Sequence, residues 1–256
     1  MPKSKSAVVC LSGGIDSTTC ASVAAEQHGP ENVHAISFQY GQKHDREIVA
    51  AETIARELKL SGFHVVQLPT VWFQSKSAIL QGTEVPMPHQ TYKELAETEG
   101  VSPTYVPFRN ANFLSQATAY ALIHELDEVW IGVHAEDARG FAYPDCTFEF
   151  TGAMANAIWV GTYMKVRLIA PLQWMMKKDI VKLGLQLRAP FELTTSCYEG
   201  NELACGTCPT CVERLEAFRE NSVRDPARYA IQLNWDRCRA YDEIRLGWRP
   251  SSRALL

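Results

Sequence analysis

The chain has 256 residues, 46% of them hydrophobic, and a formal net charge of −4. That length supports one sizeable core with room for a small appendage, and the acidic balance argues against a nucleic acid as partner, since a phosphate backbone calls for a basic surface. No apolar run approaches the ~18 residues of a membrane span, and the run at 7–11 is too short for a secretory signal, so a cytoplasmic protein with no membrane partner is expected.

Residues 7–11 read as a buried strand, short, apolar and stopped by Gly13 and Gly14. An Ala-rich helix follows over 17–27 and is closed by Gly29 and Pro30. A second strand covers 33–40. Helical spacing of Ile48, Ala51, Ile54, Ala55 and Leu58 predicts a helix over 45–60. A third strand covers 64–68. This alternation predicts parallel strands with right-handed crossovers, an α/β Rossmann-like sheet flanked by helices. Residues 70–105 hold Pro86, Pro88 and Pro103 with little periodicity, an irregular excursion of the kind that serves as a lid or is disordered. The rhythm resumes with a helix over 110–126, a strand over 128–133, a polar loop over 134–147, a helix over 148–159 and a strand over 166–170. Helices over 177–187 and 210–220 complete the pattern, the last of them in a small C-terminal zinc-binding segment. Three units are expected: an α/β body over 1–190, a cysteine-rich segment over 191–221 and an extension over 222–256. The extension carries seven arginines and no lysine, offset by Asp225, Asp236, Asp242 and Glu243. It reads as a solvated terminal helix packing on the body rather than as a nucleic-acid arm.

The most informative segment is Ser12-Gly13-Gly14-Ile15-Asp16-Ser17, at the junction of the first strand and first helix. Ligands bind at such junctions in open α/β sheets. Glycines let the backbone approach an anion closely, backbone N–H groups form a nest for it, and the helix adds its positive end. Two serines supply hydroxyls without bulk. The loop matches neither of the two commoner phosphate motifs. The plainer alternative is a tight turn in which Asp16 or Ser17 only caps the helix.

The chain has eight cysteines, and Cys197, Cys205, Cys208 and Cys211 crowd into fifteen residues as two overlapping CxxC units. Four thiolates satisfy a tetrahedral zinc and leave no open position, which predicts a structural metal, one per chain. An iron–sulfur cluster is the alternative that four cysteines leave open. Several polar clusters also follow expected strands: Gln42 and His44, Arg109 and Asn110, Asp137, Asp145, and Lys177 at a helix start. Cations there suit an anionic substrate, and carboxylates suit Mg²⁺ or the N–H groups of a purine-like ring. Lys177 is also consistent with a solvated helix start and Arg109 with a structural ion pair, and a lone histidine such as His44 is more often an ordinary surface or core residue.

Together, SGGIDSTTC at 12–20, FQYGQKH at 38–44, TYVPFRN at 104–110, YPDC at 143–146 and SCYEG with CGTCPTC at 196–211 resemble the 7-cyano-7-deazaguanine (preQ0) synthase family of the N-type ATP pyrophosphatases, or PP-loop enzymes. The resemblance spans about 7–229. It implies an ATP-dependent ligase that adenylates 7-carboxy-7-deazaguanine, passes it to ammonia, and converts the resulting amide to a nitrile through a second adenylation. It implies that Leu11, Ser12, Gly13, Gly14, Ile15, Asp16, Ser17, Thr18, Thr19, Cys20 and Ala21 hold ATP with Mg²⁺. Asp16, Ser17 and Lys177 would be catalytic. Gln42, His44, Arg109, Asn110, Asp137 and Asp145 would frame the substrate, the four cysteines would hold zinc, and the chain would form a homodimer. Three rival readings are a related ligase that joins the activated carboxylate to a protein amine, a tRNA-sulfurating PP-loop enzyme, and a zinc-knuckle binding module. The net charge speaks against the second, and the phosphate loop is left unexplained by the third.

Overall fold

The computed structural model describes residues 5–43, 45–69, 76–88, 101–236, 238–241 and 244. Five strands, β1 (Ala7–Cys10), β2 (Val33–Gln39), β3 (Gly62–Gln67), β4 (Glu128–Trp130) and β5 (Arg167–Ile169), form a single sheet in the order β3-β2-β1-β4-β5. Every pairing is parallel, as the alternation of elements predicts. Among the described residues, six α-helices of ten or more residues flank it: α1 (Ile15–His28), α2 (Arg46–Glu57), α3 (Arg109–Ile123), α4 (Phe148–Gly161), α5 (Lys177–Gln186) and α6 (Pro209–Glu220).

β1 is wholly buried, and its side chains serve both faces in alternation. Ala7, Val9 and Leu11 pack with residues of α1, α2, α5 and α6, while Val8 and Cys10 pack with residues of α3 and α4. Trp130, Phe191 and Phe218 are at most 2% exposed and anchor the first of these cores. Each such burial stabilises by about 1.5–3 kcal/mol. Strand order turns about β1: β2 and β3 lie to one side and β4 and β5 to the other. The carboxyl ends of β1 and β4 therefore part at a switch point, which opens a crevice for ligand.

Several boundaries differ from the sequence reading for physical reasons. α1 begins at Ile15, not at 17, because Gly14 at its N-cap is extended and lets the helix start at once. β4 stops at Trp130, not at 133, because Gly132 passes against the start of α1; a Cβ there would lie 3.1 Å from the Asp16 carbonyl. The described part of the 70–105 excursion is irregular yet packed, with a Gln42–Leu80 bridge, an Ala78 amide donating to the Pro103 carbonyl at 2.8 Å, and Ile79 and Leu80 buried. Of the expected C-terminal helix, the described residues from Ser222 to Ala240 form none. That stretch pairs with itself through a Val223–Arg239 bridge, and the hydroxyl of buried Tyr241 donates to the Ala189 carbonyl.

Candidate active site

The crevice opens onto the first turn of α1. Gly14 at its N-cap has no side chain to offer the N–H groups of the helix start. Asp16 and Ser17 lie past the cap and make contacts beyond the helix end. Ser17 locks the loop: its hydroxyl accepts from the Ser12 amide at 3.1 Å and lies 3.0 Å from the Ser12 hydroxyl. Gly13, at φ +83°, leaves no room for a side chain, since a Cβ would lie 2.5 Å from the Glu47 carbonyl oxygen. Its own carbonyl accepts from the Thr195 amide at 2.9 Å. The loop is thus held from two sides at the edge of the crevice.

Asp16, in that first turn, meets Lys177, the first residue of α5. Lys177 Nζ donates to both carboxylate oxygens, at 2.8 and 2.7 Å. It also lies 3.0 Å from Glu213 of α6 and 3.1 Å from His134 Nε2. His134 in turn sits 3.3 Å from Asp137. Burial works against the Asp16 charge, but Lys177 and His134 outweigh it and hold the carboxyl below its ordinary range. Burial opposes the Lys177 charge as well, and Asp16 and Glu213 reverse the sign, so the ammonium is held more tightly than in a free lysine. Glu213 is pushed up to about 7, burial outweighing the attraction of Lys177. A solvated helix start does not describe Lys177, which is 8% exposed.

The far wall is aromatic. Phe38 and Phe113 stack with ring centroids 4.2 Å apart, and Tyr40 leans on Phe113. Arg109 lies over Tyr40 and Phe113 and donates from Nη1 to the Tyr40 hydroxyl at 3.1 Å, while its buried Nε has no hydrogen-bond partner among the described residues. Asn110 and Asp145 clasp each other: the Asn110 amide donates to the Asp145 carboxylate at 2.9 Å and its side chain to the Asp145 carbonyl at 3.0 Å. Asn110 lines the cavity; buried Asp145 stands behind it. Gln42 also lines the cavity, but its amide is taken up by the Tyr40 amide and the Phe38 carbonyl. From residues 11–21 the wall takes Leu11, Ser12, Gly14, Ile15, Asp16 and Ser17; Thr18, Thr19, Cys20 and Ala21 are turned into the core. His44 lies outside the described residues. Two lining carboxylates, Glu47 and Glu213, were not singled out from the sequence, nor was His134, which sits at the centre of the Asp16–Lys177 cluster.

Cys197, Cys205, Cys208 and Cys211 come together with their sulfurs within 4.8 Å of one another, a site for a metal. A tetrahedral zinc with ~2.3 Å bonds needs sulfurs about 3.8 Å apart. Cys205 and Cys211 already stand at 4.0 Å. Backbone N–H groups of Cys205, Thr207 and Cys208 point at ligand sulfurs at 3.3, 3.4 and 3.2 Å, which suits thiolates. The donor set fits. Cys208 caps α6, which also carries Cys211, Glu213 and Arg214. Arg214 grips Asp225 with two nitrogens at 2.7 and 2.8 Å and reaches Thr194 Oγ1 at 2.7 Å, which fixes the strand of chain that pins Gly13.

A five-stranded parallel sheet with a glycine–serine loop at its switch point defines an open α/β protein of the Rossmann-like kind. A family profile described as "Queuosine biosynthesis protein QueC" matches residues 6–222. The chain is 40% identical over 231 residues to a 7-cyano-7-deazaguanine synthase of Acidobacterium capsulatum, covering 90% of this chain and 98% of that one. It is 44% identical over 232 residues to the enzyme of the same name from Thermoplasma volcanium, covering 88% and 91%. Among solved structures, the U34-tRNA thiolase NcsA from Methanococcus maripaludis superposes with a TM-score of 0.49 at 18% identity, covering 84% of this chain and 64% of that one. The chain belongs to the QueC family.

Proposed function

We propose that this protein is a 7-cyano-7-deazaguanine synthase, which converts 7-carboxy-7-deazaguanine and ammonia to the nitrile at the expense of ATP. The observation that carries the reading is the uncapped start of α1 beside the Asp16–Lys177 pair, within a crevice that also has an aromatic wall. A carboxylate is a poor electrophile. Attack of its oxygen on the α-phosphorus of ATP releases pyrophosphate and gives a mixed anhydride. Ammonia then displaces AMP, forming the C–N bond and the amide, and the nitrogen sheds its surplus proton. The amide oxygen attacks the α-phosphorus of a second ATP and releases its pyrophosphate; the nitrogen then gives up both of its protons as the C–O bond breaks, and AMP leaves with the oxygen to give the nitrile.

The roles of the chain's own residues follow from position. The amides of Gly14 and the first turn of α1 hold the leaving pyrophosphate. Lys177 offsets the charge that grows about the α-phosphorus. Ser12 and Ser17 keep the loop in its open form. Asp16 and Asp137, both partly exposed, are the acceptors for the magnesium that accompanies ATP. The four cysteines hold zinc, a structural ion with no part in the chemistry. Arg109 and Asn110 frame the deazaguanine, and the working form is a homodimer.

The test is product analysis by mass spectrometry with 7-carboxy-7-deazaguanine, ammonium and limiting ATP. AMP, pyrophosphate, amide and nitrile are expected, with the amide accumulating when ATP runs short. Amide without nitrile would reassign the protein as an amide synthase or a conjugating ligase. Absence of both products and of AMP would remove the reading.

A further inference from the structure

Four carboxylates line the crevice: Asp16, Glu47, Asp137 and Glu213. Asp16 and Glu213 are both engaged by Lys177, and Asp137 faces His134. Glu47 has no hydrogen bond or ion pair among the described residues, although it sits in the wall and burial pushes its carboxyl up to about 7. Its backbone is fixed, because its carbonyl oxygen packs directly under Gly13. The charged group nearest in influence is Arg109, which attracts it without bonding to it. Arg109 lines the same cavity, with Nη1 on the Tyr40 hydroxyl and a buried Nε that has no hydrogen-bond partner among the described residues. A carboxylate without donors and the Arg109 guanidinium thus line one wall of the crevice, beside the flat apolar surface of Phe38 and Phe113. A ligand edge that offers donors to the first and an acceptor to the second would pair with both.

We infer that Glu47 reads the pyrimidinone edge of the deazaguanine ring, accepting from N1–H and the 2-amino group while Arg109 donates to O6. That edge presents two donors and then an acceptor, the order that Glu47 followed by Arg109 requires. A carboxylate across two adjacent N–H groups makes a charge-assisted bidentate pair. A ring without the 2-amino group leaves half of the carboxylate unpaired. Glu47 is thus a specificity-determining residue of the reaction. The inference rests on the synthase reading for the identity of the ring.

The experiment pairs wild type and Glu47→Gln with two rings, 7-carboxy-7-deazaguanine and its counterpart lacking the 2-amino group, in a cycle on kcat/KM. A parallel cycle uses calorimetric binding of the two corresponding nitriles, which needs no turnover. Wild type should prefer the amino-bearing ring roughly 10- to 100-fold, as one bidentate pair allows. Glu47→Gln should lose about that factor on the amino-bearing ring and less than about 3-fold on the other, the difference being coupling between side chain and amino group. Glu47→Asp, which keeps the charge, should retain part of the preference. Equal losses on both rings, or a wild type indifferent to the amino group, overturn the assignment. Binding that follows the cycle without turnover would remove the synthase reading and leave the ring assignment standing. Turnover without coupling would do the reverse.

Discussion

Lys177 Nζ spans both carboxylate oxygens of Asp16, at 2.8 and 2.7 Å, across 161 residues of sequence. This contact ties the first turn of α1 to the first residue of α5 and sets a cation beside the anion loop. Asp16→Ala removes the partner of Lys177 at the mouth but leaves Glu213 to hold the ammonium. Turnover should fall about 10²- to 10³-fold, the size of a lost electrostatic contact in a preorganised site. The melting temperature should move little, since Asp16 buries no apolar surface. Steady-state AMP release and thermal melts measure both; unchanged turnover would remove Asp16 from the mechanism.

The metal prediction concerns folding. The purified protein should carry about one zinc per chain. Cys208→Ser should lower metal content and thermal stability together, because it removes one of the four thiolates that would hold the ion, while serine at the N-cap position of α6 leaves the helix start no worse off. Elemental analysis that finds iron with acid-labile sulfide would replace zinc with a cluster.

Gly13→Ala tests the loop. The new methyl would meet the Glu47 carbonyl oxygen at 2.5 Å, on backbone at φ +83° that L-residues avoid. The strain costs about 1–2 kcal/mol, and relief requires the loop to leave α2. ATP affinity should drop at least 10-fold with the fold intact, as read by calorimetry and circular dichroism. An alanine variant that binds ATP normally would show that the loop's path is not what positions the nucleotide.

Glu47 gives a pH signature. Its carboxyl titrates near 7 in the folded chain against an ordinary 4.5, so between those values the folded form binds more protons than the unfolded one. Stability therefore falls as pH rises through that window and reaches its full loss above 7. Glu47→Gln has no such loss. It should match wild type near pH 4.5 and exceed it at pH 8 by roughly 1–2 kcal/mol, after allowance for solvent screening. Urea unfolding at the two pH values checks this, and a difference independent of pH would exclude the charge as its cause.

Arg214 and Asp225 form a buried pair with side chains 3% and 0% exposed. Arg214→Ala strands the Asp225 charge and frees Thr194. A loss of about 3–5 kcal/mol is expected, measured by denaturant unfolding. A loss below 1 kcal/mol would mean that water reaches the pair.

The sheet was legible because β1 and β2 are short apolar runs, α1 between them is rich in alanine and α2 carries helical spacing, and the loop because glycine and serine have few other uses at a strand end. Lys177 was legible by position alone; its burial was not. Glu47 and Glu213 sit inside helices whose sequence, REIVAAE and CVERLE, looks like any solvated face. Only the placement of α2 under Gly13 and of α6 against α5 turns them inward. Asp145 shows the reverse. A charge in a loop after a strand suggests ligand, yet the backbone amide of Asn110 claims it. In the tail, Tyr241 and Ile244 are helical, while the described residues before them form no helix: Arg219 stacks on Trp235 and the chain returns to pair with itself, contacts that no periodicity announces.

Cys211, Glu213 and Arg214 occupy less than one turn of α6, and each faces a different obligation: a metal, the Lys177 ammonium and the Asp225 carboxylate. A helix advances about 100° per residue. One residue inserted after Cys211 would keep all four cysteines in register and still swing Glu213 and Arg214 away from their partners. The length of this segment is therefore fixed more tightly by the charges beyond the metal than by the metal itself. A graft of the cysteine spacing alone onto a related sheet would bind an ion and leave the crevice unformed.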